Sequence, residues 1–75
     1  ITYILPRVGR VEVAVYDVQG RRVAALLDRP QAPGLHTVEW RGRDETGAPV
    51  VSGVYYIRVA SGGEVRTRKV VLLKK

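Results

Sequence analysis

The sequence predicts an all-β fold, a small antiparallel β-sandwich of about six or seven short strands, and three observations carry that expectation. Apolar side chains recur at a period of two, most cleanly where Val11, Val13 and Val15 alternate with Glu12, Ala14 and Tyr16. Clusters of Gly, Pro, Asp and Ser punctuate the chain between such runs. No stretch makes a convincing helix, and short alternating runs separated by turn residues are how two packed sheets are written.

Taken in order, Ile1, Tyr3 and Leu5 alternate with Thr2 and Ile4 until Pro6, which cannot donate a ladder hydrogen bond, so a short edge strand is expected. Val8-Gly9 turns the chain into a strand whose core face is Val11, Val13 and Val15. Asp17-Val18-Gln19-Gly20 reads as a tight turn: Asp can bond the backbone ahead of it, and Gly supplies the left-handed position. Arg21 to Asp28 returns as a strand, although Val23, Leu26 and Leu27 also fit one face of a short helix. Two prolines and a glycine mark Arg29 to Gly34 as a loop.

A strand is expected from Leu35 to Trp40, with His36, Val38 and Trp40 on one face and Trp40 as a core anchor whose indole N–H finds an acceptor. Arg41 to Pro49 is a polar connection, and Val50-Val51 begins a short strand. Val54 to Ala60 and Val65 to Leu73 are the arms of a closing hairpin around Ser61-Gly62-Gly63. This is the richest apolar segment, so the C-terminal run is expected to be a structural strand of the core.

Seventy-five residues make one domain, 1–75, near the lower size limit for folding without staples. Cysteine is absent, which excludes a disulfide framework and thiol chemistry and leaves the redox compartment open. Methionine is absent too and the chain opens on Ile1, as expected of a segment from a longer polypeptide. No apolar run is long enough for a membrane-spanning helix, and no transmembrane segment is expected. The net charge is +6 and ten of the thirteen cations are arginine. They are scattered, apart from the group Arg66, Arg68 and Lys69, and no recognition helix, zinc motif or aromatic RNA-binding signature accompanies them. Nucleic acid is therefore not an expected partner.

The catalytic inventory is poor, and no catalytic residue, cofactor or metal site is expected. His36 is the only histidine and shares its face with Val38 and Trp40, a structural setting. Ser52 and Ser61 sit beside turn glycines, where serine forms turns. Asp44 and Glu45 lack the alternating acidic ligands of a calcium loop, and Asp44 is expected to cap its turn through side-chain-to-backbone bonds. Tyr55 and Tyr56 point to opposite faces of a strand, Tyr55 inward, so they make no shared sugar-stacking platform. Tyr3, Tyr16 and Tyr56 remain available for one, on different strands.

The ordered set of motifs resembles a known family. Leu5-Pro6 with Gly9 comes first, then Val13-Ala14-Val15-Tyr16-Asp17 with Gly20-Arg21 and Val23. Gly34, Val38-Glu39-Trp40, and Gly42 with Asp44 and Gly47 follow. Ser52-Gly53-Val54-Tyr55 and Arg68-Lys69-Val70-Val71-Leu72-Leu73-Lys74 complete the series. Together they resemble the C-terminal sorting domains of the type IX secretion system, and the related immunoglobulin-like domain of the flagellar hook-capping protein. Two departures are Arg41 directly after the tryptophan and a surface more basic than the pattern demands.

The resemblance implies an immunoglobulin-like sandwich, without enzymatic activity, that directs a larger protein through the outer membrane and to the cell surface. It implies the outer-membrane secretion machinery and a sortase-like protease as partners, with anionic lipopolysaccharide as an attachment surface. The implied localisation is exported: periplasm in transit, then cell surface or medium. The implied sorting-signal residues are Ser52, Gly53, Val54 and Tyr55, with Lys69, Val70, Val71, Leu72, Leu73, Lys74 and Lys75. A structural spacer or assembly module, and less favoured a carbohydrate-binding accessory module, are the alternatives.

Overall fold

A computed structural model describes residues 1–74. It contains β1 (Thr2–Leu5), β2 (Gly9–Tyr16), β3 (Arg22–Gln31), β4 (Gly34–Thr37), β5 (Gly53–Ser61) and β6 (Glu64–Leu72), all paired antiparallel. β1 and β4 form a two-stranded sheet, and the other strands form a four-stranded sheet in the order β3-β2-β5-β6. The two sheets make a small β-sandwich, as expected.

The alternation at β2 sets the core. Val11, Val13 and Val15 are fully buried, and β2 lies between β3 and β5, so these side chains meet neighbours from both sides. Tyr55 and Ile57 of β5, Ala24 of β3 and Leu5 of β1 complete the buried cluster. Leu5 is the smaller sheet's buried contribution among the described residues, placed just before Pro6 ends the strand.

β3 resolves the helix-or-strand ambiguity and explains it. Val13 pairs with Leu27 and Ala14 with Ala25, so Leu26 is an extra residue; Val15 pairs with Ala24 and Tyr16 with Arg22, so Val23 is another. At a bulge two residues oppose one, and the strict inward–outward alternation breaks. Leu26 and its neighbour Leu27 therefore both pack against the core, and so do Val23 and Ala24. A twice-bulged strand thus carries apolar residues at a spacing that imitates a helix.

Three boundaries differ from expectation. The loop expected at Arg29–Gly34 is strand as far as Gln31, with Pro30 opposite Arg10. β3 is an edge strand, where a residue lacking an N–H is tolerated on the open side. The strand expected through Trp40 ends at Thr37; Val38 still donates to the Ile1 carbonyl at 2.8 Å before the chain leaves the sheet. Val50-Val51 is not a strand. Val50 N–H bonds Gly42 O at 3.0 Å and Arg43 bridges Pro49, so the connection satisfies its backbone by folding on itself.

Two turns repeat one design. In Asp17–Arg21 and Asp44–Ala48 the Asp N–H bonds the carbonyl four residues on, at 3.0 and 2.9 Å. The glycine N–H returns to the Asp carbonyl at 3.0 Å in both, with φ of +80° at Gly20 and +87° at Gly47. Each carboxylate collects the N–H groups of residues i+2 and i+4 at 2.9 to 3.1 Å. The sequence expectation at Asp17 and the capping role of Asp44 both hold.

Candidate functional site

The β5–β6 hairpin brings two distant stretches of the sequence to one end of the larger sheet. Gly53 lies opposite Leu72, Val54 opposite Val71, Tyr55 opposite Val70 and Tyr56 opposite Lys69. Ser52 joins them from outside the strand: its Oγ accepts the Lys74 N–H at 2.9 Å. The Lys74 ammonium donates to the Val50 carbonyl, so the last described residues are tied back to the chain that leads into β5.

Within this patch the period of two separates scaffold from surface. Tyr55 is buried, with Val70 and Leu72 packed beside it against the core. The Tyr55 ring meets Trp40 edge-on, centroids 5.0 Å apart, and its hydroxyl donates to Val51 O at 2.7 Å. The half-buried Trp40 in turn donates its indole N–H to Arg43 O at 2.9 Å, so it is an anchor at the rim of the core. Lys69, Val71, Leu73 and Lys74 face solvent, Leu73 at 84 % exposure. Val51, 78 % exposed, belongs to the same end of the sandwich and was not among the expected signal residues. The sequence reading placed it with Val50 at the start of a short strand. Lys75 lies outside the described residues.

Gly42 was noted in the sequence only as a motif residue. It is buried, has φ +72°, and a Cβ there would come within 3.3 Å of the Leu72 side chain. The positive φ disfavours any side chain at this position, and a Cβ would also require the Leu72 side chain to give way by a few tenths of an ångström. Nothing in a one-dimensional pattern pairs residue 42 with residue 72.

The remaining candidates resolve into structural roles. His36 Nε2 contacts Ala32 O at 2.7 Å and its ring stacks on Tyr3, 5.5 Å between centroids. The Tyr3 hydroxyl donates to Gln31 Oε1, and burial pushes the phenol up from its ordinary value against the opposing pull of Arg29. Asp44 Oδ1 is engaged by the Thr46 hydroxyl at 2.6 Å as well as by backbone N–H groups. These bonds, the Thr46 hydroxyl first, hold its carboxyl below the usual range. Glu45 is paired with Arg22 at 2.7 Å. Asp17 is likewise lowered, chiefly by the Arg21 N–H. Tyr16 and Tyr56 do lie opposite each other on the outer face, around a shallow depression with Arg58 and Thr67, while Tyr3 is on the other sheet.

These features define an immunoglobulin-like module, an all-β sandwich whose described polar side chains serve turns and edges. A model of the FlgD Ig-like domain family matches residues 3–64, most of the chain. The chain belongs to the FlgD Ig-like domain family, a family of structural, non-catalytic domains. No curated protein and no solved structure matches it. The family match ends at Glu64, where β6 begins, so Ser52–Tyr55 lie inside the matched region and Lys69–Lys75 beyond it.

Proposed function

We propose that this Ig-like module directs a larger exported protein through the outer membrane by type IX secretion and on to cell-surface attachment. In this reading the signal is the surface made jointly by Ser52-Gly53-Val54-Tyr55 and the run from Lys69 to Lys75. The observation that supports it is the cross-strand pairing of Gly53 with Leu72 and Val54 with Val71, reinforced by the Ser52–Lys74 bond. Two separated motifs become one rigid, apolar and basic patch on an edge hairpin. A receptor could read such a patch by adding a strand to β6 and engaging the lysines. The outer-membrane secretion machinery and a sortase-like protease are the proposed partners, with anionic lipopolysaccharide as the attachment surface.

The test is a fluorescent reporter carrying an inner-membrane export signal, with residues 1–75 fused at its C-terminus. It is followed in a type IX-competent bacterium and in a translocon mutant. Surface or medium localisation only when the translocon is present is the expected result. Periplasmic retention in both strains, with the domain folded, would leave the module as a structural spacer within its parent protein.

A further inference from the structure

The smaller sheet has an open edge. Ile1 and Val38 exchange both backbone bonds, at 2.7 and 2.8 Å, which sets the alternation along β1. Tyr3 and Leu5 direct their main-chain groups toward β4, and Thr2 and Ile4 direct theirs away from it. Among the described residues, no strand other than β4 pairs with β1. The edge also lacks the proline and the two bulges that blunt the β3 edge.

Along this edge runs a groove of about 760 Å³ between β1 and the distal half of the β5–β6 hairpin. Its opposite wall includes Val59, Arg66 and Arg68. Arg66 lies opposite Val59 and Arg68 opposite the buried Ile57. Directly opposed residues share a face, so both arginines are on the core face of the larger sheet. They are nevertheless exposed, as two strands facing four leave part of the larger sheet's inner face open. Arg68 and Arg7, which also lines the groove, enter no ion pair among the described residues. The contact of Arg66 with Glu64 is long, 3.9 Å.

We propose that this groove accepts an extended acidic segment of a partner protein as a third strand on β1. Main-chain bonds to Thr2 and Ile4 hold it, and carboxylates at alternate positions meet Arg66 and Arg68. Those arginines are two residues apart, hence ~7 Å apart along a strand, the spacing of alternate side chains in an extended peptide. The gap therefore selects both backbone conformation and charge pattern. It lies at the Ser61–Glu64 end of the hairpin, away from the Gly53–Leu72 end, and is independent of the sorting reading.

The test titrates the 75-residue chain into a labelled nine-residue peptide with Glu at alternate positions and Thr or Val between. An isomer with its glutamates in one block and an alternating Lys peptide are the controls. Fluorescence anisotropy reads binding, and amide hydrogen exchange reads the site. The expected result is saturable binding of the alternating acidic peptide, about tenfold tighter than the block isomer, with new protection at Thr2 and Ile4. Arg66→Glu/Arg68→Glu, changes at exposed positions, are expected to abolish it while leaving the urea midpoint in place. Equal binding of the two acidic isomers, protection along β6 instead, no binding, or unchanged binding by the double variant would each overturn the proposal. Protection of Thr2 and Ile4 without peptide, with dimers in sedimentation, would give the edge to a second copy of this chain.

Discussion

Tyr55 tests whether the proposed signal region is scaffold or contact surface. It sits in the Ser52–Tyr55 motif, yet it is 5 % exposed, packs edge-on against Trp40 and bonds Val51 O. Removing the ring in Tyr55→Ala should cost about 3–5 kcal/mol for the lost aromatic volume, with about 1 kcal/mol more for the edge-to-face contact. A domain of this size has on the order of 4–11 kcal/mol in total, so that variant is expected to sit near the edge of folding. Tyr55→Phe keeps the ring and loses one neutral hydrogen bond. Val51 is exposed and water can replace the partner at its carbonyl, so the cost should stay near 0.5–1 kcal/mol. With a urea slope of about 1 kcal/mol/M, the midpoint, followed by Trp40 fluorescence, should fall by roughly 0.5–1 M. Reporter export should be unchanged. Full loss of export by Tyr55→Phe at near-native stability would refute this reasoning, because it would make the hydroxyl a receptor contact.

Other outcomes follow from the turns and edges. The carboxyls of Asp17 and Asp44 are depressed below 3.8 in the folded chain, so the stability they confer is present above that value and is lost as pH falls through their folded pKa. Asp17→Asn/Asp44→Asn keeps an acceptor oxygen but cannot titrate, and should flatten the acid limb of a pH–stability curve below about pH 4. Gly47→Ala places a side chain at φ +87° and should cost about 1–2 kcal/mol by urea titration, although no neighbour lies within 4 Å. Ile4→Thr/Leu35→Thr exchanges two opposed residues that are 75 % and 69 % exposed. Its stability by urea titration should stay within about 0.5 kcal/mol of the parent.

What could be read from the sequence was whatever local chemistry determines. Alternation at Val11–Val15 placed the core strand, and Asp with Gly three residues later marked the Asp17 turn. What could not be read depends on where a strand sits in its sheet. Pro30 looked like a breaker because nothing local says that its strand is an edge. Leu26 and Leu27 looked helical because bulges, a property of the pairing, set their direction. Arg66, Arg68 and Lys69 read as one basic group, and the pleat divides it: the arginines share the core face and Lys69 faces out. The alignment of Ser52–Tyr55 with Lys69–Lys74 needed the register of the closing hairpin.

The most direct measurement compares export of the reporter bearing the parent module with one bearing Val71→Glu/Lys74→Glu. Both positions are exposed, and Tyr55, Val70 and Leu72 stay in place beneath them. A native urea midpoint with export reduced to the level of the translocon mutant is the predicted result. Undiminished export by the folded double variant would contradict the claim that the end of this hairpin is what the secretion machinery reads.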